Sequence, residues 1–411
     1  MAEGLSLRSE PKSILSTTPN FDDLPQETNT EFPLPQAPAL PAGAPPVGAT
    51  PAAAAAPPST LQYRAEALTK PNHFFLFSDN WESLSETPAG RSVLCSHTHT
   101  SNGSVSYRVL AWHLNQTGAP LHFGLVLENR GTSPIRVKAL KAIEDFNNGN
   151  YFASGRSIAA AALAGSLATR GEFNVQTNSK GVISEAIIAS NVNRHFFSLL
   201  EFELVSASTL DYVLRVVADP SDLLKRDGPP VIPEPSNLGP WRGHARGVWP
   251  YDAVQISLEN PLDVGTGLPT SLLLTEHRQA PTVNPDVKLF AANLSVADGE
   301  SRANRGLFGV DLFLKLDLAN STNSPKKVSV TMQTPFADGI NGYTGAFRFD
   351  GKTQLIEPSP GKTHLGKANP RSQHLFDITV PAKTFTNSPF DARIRLHHGG
   401  TSSLPVQLIL S

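Results

Sequence analysis

The chain uses one phrase twice. Leu127-Glu128-Asn129 leads to Ser133-Pro134-Ile135-Arg136-Val137, and much later Leu318-Ala319-Asn320 leads to Ser324-Pro325-Lys326-Lys327-Val328. Leu127/Leu318, Asn129/Asn320, Ser133/Ser324, Pro134/Pro325 and Val137/Val328 share one spacing, so a strand–turn–strand unit recurs at domain-sized distance. The repeat predicts two copies of one β-rich module, with Leu127 and Leu318 as equivalent core positions.

The phrase has the physical logic of a hairpin. Leu125, Leu127 and Val137 fall on period-two positions that face a core, while Asn129 to Pro134 accept turn geometry and halt pairing. In the second copy Leu312, Leu314, Leu316 and Leu318 alternate with Phe313, Lys315 and Asp317, the signature of a half-buried strand. Later segments echo each other as well. Gln373 to Val380 resembles Arg194 to Leu199, and Ala392 to Leu396 resembles Tyr212 to Val216, in the same relative order.

Composition narrows the function classes. A chain of 411 residues can bury more than one core, and 30 Gly with 35 Pro fit many short strands joined by turns. The formal net charge of −2 supplies no basic field for a phosphate backbone, so nucleic acid is not an expected partner. The single cysteine, Cys95, excludes an intramolecular disulfide and multi-thiolate metal sites, and reads as a small buried thiol on a strand. Neither a signal peptide nor a transmembrane segment is visible.

The chain divides into a tail and two modules. Residues 1–60 hold twelve prolines and the run Ala52 to Ala56, which predicts a disordered arm. Residues 61–218 read as a first β-sandwich, beginning at Leu61 to Phe77, with one helix over Ile158 to Ala168 capped by Ser157 and stopped by Gly171. The six prolines between Pro220 and Pro240 mark 219–240 as a linker, and 241–411 as a second sandwich. The expected fold class is all-β: tandem immunoglobulin- or jelly-roll-like sandwiches with one short helix and a disordered N-terminal arm.

Tyr107 to Asn115, Phe123 to Asn129, and Asn304 to Val310 leading into Leu318 to Asn323 resemble exported bacterial β-sandwich proteins of a domain-of-unknown-function family. That family is cyanobacterial, with Gram-positive relatives that carry a copper-amine-oxidase-N-terminal-like stalk. The likeness spans residues 75–220 and 240–411 and lies in strand and turn signatures. This chain lacks the signal peptide and the stalk, and Leu307-Phe308 replaces the Asn-Tyr expected before Gly309. The resemblance implies a cell-envelope or extracellular setting and no catalytic residues.

Candidate chemistry is sparse. His97 and His99, two apart, would share one strand face and with His113 or His122 nearby could hold a divalent metal, but no close carboxylate completes the site; solvated strand histidines are the simpler reading. His397-His398 would point to opposite faces. Trp241, Arg242, Arg246, Trp249 and Tyr251 form an aromatic–basic cluster after the linker that suits sugar stacking or a protein partner, or simply wedges the modules together. The oxygen-rich stretches 144–150 and 338–342 lack the spacing of a calcium loop and read as turns. Asn102, Asn115, Asn293 and Asn320 begin Asn-x-Ser/Thr sequons, relevant only in a glycosylating pathway. The expected function is a non-enzymatic structural or adhesive component of a bacterial envelope or extracellular assembly, with protein or glycan partners, self-assembly among them, and no cofactor. The alternatives are a glycan-binding module and a metal-dependent hydrolase using His97 and His99.

Overall fold

A computed structural model describes residues 59–79, 92–115, 117–146, 151–189, 194–224, 245–274, 289–299, 301–304, 306–334, 344–356, 371–400 and 407–411. The arm up to residue 58, most of the linker (225–240) and the oxygen-rich stretches 147–150 and 338–342 lie outside these residues. Residues 56–411 belong to one compact unit.

In chain order the first strands are β1 (Ser59–Thr60), β2 (Tyr63–Ala67), β3 (His73–Asp79), β4 (Ser92–Ser101), β5 (Val105–Asn115), β6 (Leu121–Asn129) and β7 (Ile135–Phe146). Helix α1 (Tyr151–Ala164) follows, then β8 (Ala168–Thr169), β9 (Phe173–Val175), β10 (Lys180–Ile188), β11 (Arg194–Ser206) and β12 (Leu210–Asp219). After the linker come β13 (Arg246–Trp249), β14 (Ala253–Leu258), β15 (Leu262–Asp263), β16 (Thr270–Leu273), β17 (Asp311–Ala319) and β18 (Lys326–Thr334). The last are β19 (Thr344–Phe349), β20 (Lys352–Ile356), β21 (Arg371–Val380), β22 (Phe390–Gly400) and β23 (Gln407–Leu410).

These strands form two sandwiches of one topology. In the first, a sheet ordered β10-β6-β12-β4 faces one ordered β13-β3-β5-β11-β7-β8, with β9 also on β7. In the second, β1-β16-β23-β18-β21 faces β2-β14-β17-β22-β19-β20, with β15 on β17. From β4 to β12, and from β16 to β23, the chain alternates between the facing sheets in the same sequence, with the short β8 and β9 remaining beside β7 and β20 beside β19 as the fifth strand of each roll. This is the double-sheet jelly roll, of the two sandwich types expected. Its inner faces carry the alternating apolar residues: Leu125, Leu127, Val109 and Leu214 in the first core, Leu312, Leu314, Leu316 and Val330 in the second.

The duplication slips by one strand from the sequence reading. Leu127 lies on β6, the third strand of its jelly roll, whereas Leu318 lies on β17, the second. The echoes slip the same way: Arg194 to Leu199 is on β11 and Gln373 to Val380 on β21, Tyr212 to Val216 on β12 and Ala392 to Leu396 on β22. The topological counterpart of β17 is β5, so Asn115, and not Asn129, matches Asn320. A second marker agrees, because the sixth strand of each jelly roll, β10 and β21, carries one bulge, at Ile183 and at Leu375.

The ladders do not respect residues 219–240 as a boundary. In each sandwich a strand runs parallel to the second strand, β3 on β5 and β14 on β17. The antiparallel neighbour of β3 is β13, which leads into the second sandwich; that of β14 is β2, which leads into the first. The two edge strands are thus exchanged reciprocally.

Helix α1 adds a second tie. It leaves the first sandwich after β7 and packs on β19 and β22 of the second, where Ala159 and Leu163 meet Ala346. A Cβ on Gly399 would lie 1.8 Å from the Gly155 carbonyl oxygen, so the helix and strand touch backbone to backbone. The helix begins at Tyr151, ahead of the expected Ser157 cap, because this contact fixes it. It ends at Gly165, not Gly171: Gly165 has φ +65, its N–H donates to Ala162 O and that of Ser166 to Ala161 O, a Schellman stop.

Candidate functional site

The aromatic–basic cluster is interior. Trp241 and Arg242 lie outside the described residues, while Arg246, Trp249 and Tyr251 are 2%, 0% and 7% exposed. Trp249 stacks on Phe75 at 6.2 Å and meets Phe290 edge-on at 5.6 Å, and its Nε1 donates to Ala291 O at 3.2 Å. Tyr251 packs edge-on against Phe290 and its hydroxyl donates to Leu289 O. Among the described residues of the cluster, neither Trp249 nor Tyr251 leaves a ring face for a sugar; both fill the joint where β13 joins the first sandwich.

His97 and His99 do share one face, each edge-on to Phe74 at 4.7 and 4.8 Å, with 5.3 Å between their rings. His99 is half-buried, and the expected solvation fails for His97, which is 2% exposed. Its Nδ1 pairs with Tyr107 Oη at 2.7 Å, and Tyr107 Oη pairs with Tyr212 Oη at 2.8 Å. Burial, with His99 adding to it, pulls the His97 pKa down to about 4, and burial lowers that of His99. The other histidines are elsewhere: His113 lies 3.2 Å from Ser78 Oγ and stacks on Phe123, and His122 pairs with Glu185 at 2.7 Å. Among the described residues no three His, Cys, Asp or Glu side chains converge to hold a metal. Cys95 is a buried thiol, as read from the sequence, and burial pushes its pKa up to about 12. His397 and His398 point apart as expected, toward Asp311 and the Gly306 carbonyl.

The densest charged constellation had no sequence signal, because it is assembled from both sandwiches. Arg108 on β5 reaches Glu201 on β11 at 2.7 Å, Asp252 at 3.1 Å and Asp311 on β17 at 3.2 Å. His73 lies 3.1 Å from Asp252, and His397 and Arg395 approach Asp311 at 2.8 and 3.7 Å. Burial alone would lower the pKa of Arg108; Asp311, Asp252 and Glu201 outweigh it and hold the guanidinium above its ordinary range. Burial would likewise raise Asp311, but Arg108, His397 and Arg395 hold it well below the usual carboxylate range. Asp252 is lowered too, against its burial, by His73 and Arg108. The cluster ties β5 to β17 through Arg108.

Three fully buried asparagines close strand ends in one manner. Asn115 Oδ1 accepts the Thr117 N–H and hydroxyl, while its Nδ2 donates to Ala119 O and Ile188 O, both at 2.8 Å. Asn320 repeats this with Thr322, Ser324 O and Val380 O. Asn129 clamps Gly131 N, Ser133 O and Val175 O. Each is a strand-terminal Asx turn whose amide also ties down a neighbouring strand. The Asn-x-Thr spacing at Asn115 and Asn320 was visible in the sequence as a sequon.

No family model matches this chain, and no curated protein matches it. Among solved structures it is similar to the tandem CBM22 domain of Paenibacillus barcinonensis Xyn10C, at 11% identity over 87% of this chain and 98% of that one, with a TM-score of 0.14. The ANX2 ectodomain from Arabidopsis thaliana matches at 10% identity over 85% and 97% of the two chains, with a TM-score of 0.15. Likeness at this level carries no weight for fold or function, which rest on the geometry above.

Proposed function

We propose that the chain is a non-enzymatic structural subunit of an ordered assembly, with further copies of itself among its partners. The observation that carries this reading is the reciprocal exchange of β2 and β13, which with α1 and the Arg108 cluster makes two jelly rolls one interlocked body. Side chains that looked capable of chemistry, His97, Trp249, Tyr251 and Arg246, are committed to that body. Jelly rolls serve in protein shells and in carbohydrate-binding domains; fold alone does not choose between them. Burial of Trp249 and Tyr251 counts against a sugar platform built on those two rings, and burial of His97 counts against the hydrolase reading. An envelope or extracellular lattice, the setting implied by the resemblance, is one assembly such a body suits.

Sedimentation of the purified protein over a concentration series, with electron microscopy of the same samples, tests the proposal. Concentration-dependent, regular oligomers are expected. A monomer at every concentration would count against it.

A further inference from the structure

The four sequons differ sharply in what they can tolerate. Asn102 stands exposed in the turn that carries the chain from β4 to β5 in the facing sheet, and Asn293 is exposed on the short 3-10 turn Ala292–Leu294. Asn115 and Asn320 are 0% exposed. Asn115 Nδ2 donates to three carbonyls, Ala119 O, Ile188 O and Ala189 O, and Asn320 Nδ2 to Ser324 O, Val380 O and Pro381 O.

N-linked transfer acts on that same nitrogen. A bond forms between Nδ2 and the anomeric carbon of a lipid-diphosphate-linked oligosaccharide, the anomeric carbon–oxygen bond breaks, the lipid diphosphate leaves, and Nδ2 gives up one proton. The product keeps a single N–H where the clamp uses both, and adds a bulky polar group where there is no solvent. The enzyme reads the unfolded chain as it enters the compartment, before a clamp can hide the asparagine, and both sites are followed at the required spacing by threonine, Thr117 and Thr322.

We infer that this protein acquires its fold in a compartment without N-linked oligosaccharide transfer, Asn115 and Asn320 being sequons that must stay unmodified. Export from a bacterium or folding in a cytosol satisfies this condition; the eukaryotic secretory route does not. The inference is independent of the assembly proposal, since it rests on the two clamps alone.

The test places the full chain behind a secretion leader in a glycosylating eukaryotic cell, with and without an inhibitor of oligosaccharide transfer, and compares it with cytosolic expression. Peptide mapping should find glycan at Asn115 or Asn320, beside permitted glycan at Asn102 or Asn293. Folded, secreted protein should rise at least tenfold when transfer is inhibited, and the cytosolic chain should fold. Secreted protein with native melting that carries glycan at Asn115 or Asn320 would overturn the inference. Normal secretion with both sites empty, or secretion that stays low under the inhibitor, would overturn it equally.

Discussion

Arg108 shows how strongly a single side chain can be required without being a site. Arg108→Met removes the only cation within 3.3 Å of both Asp252 and Asp311 among the described contacts, and leaving such carboxylates buried costs about 3–5 kcal/mol. Denaturant unfolding should show that loss. The same carboxylates set an acid limit. Their folded pKa values lie below the unfolded ones, so their stabilisation is complete above the ordinary carboxylate pKa of about 3.9 and is lost as pH falls below it. His97 acts in a higher window. Its folded pKa of about 4 lies below the ordinary histidine value of 6.5, so the unfolded chain binds the extra proton and stability falls as pH drops from 6.5 toward 4. By linkage the fall is on the order of 3 kcal/mol. His97→Gln should make the stability profile shallower in that window, where the burial-lowered His398 and His99 leave a residual slope, and should leave the acid limb; an unchanged profile would remove His97 as a contributor. Little of this was legible from sequence. His97 and His99 were correctly placed on one face by strand period, but the burial of His97 comes from Phe74 and Tyr107 on β3 and β5 of the facing sheet, which no local pattern reports.

At the scale of elements, the strand alternation was legible and its registration was not. Leu312, Leu314, Leu316, Leu318, Leu125 and Leu127 were read as core-facing, and all six are buried. Leu127→Ala and Leu318→Ala should each cost about 2–5 kcal/mol, the loss of transfer energy plus a cavity, measurable by thermal or urea melts. The one-strand slip has a physical origin. Consecutive corners of the first jelly roll end in the same asparagine clamp, Asn115 and Asn129, so Asn320 matches either one by local chemistry. The helix was found but misplaced, because Gly155 and Gly399 dictate its position from a distant strand. Gly399→Ala pushes a methyl into the Gly155 carbonyl; overpacking of this kind costs about 1–3 kcal/mol, and Gly399→Ala should melt lower accordingly. The ordered N-terminus also begins earlier than expected. β1 and β2 pair with β16 and β14, so limited proteolysis should halt near Ser59 and spare Gln62 to Asn72.

For the whole molecule, the sequence conveyed two β-modules but not their exchange. Pro220 to Pro240 looks like a linker between independent domains, and nothing local in Tyr63–Ala67 or Arg246–Trp249 states that each pairs with the other sandwich. That pairing is decided by long-range ladders alone. It makes the chain one mechanical body in which either jelly roll lacks an edge strand without its partner. Cutting the backbone between the sandwiches tests this most directly. With a protease site inserted between residues 225 and 244 and then cleaved, the two fragments should co-elute as one particle of the uncut size under native conditions and melt in a single transition. Fragments that separate into two folded species of about half the mass would contradict the interlocked body.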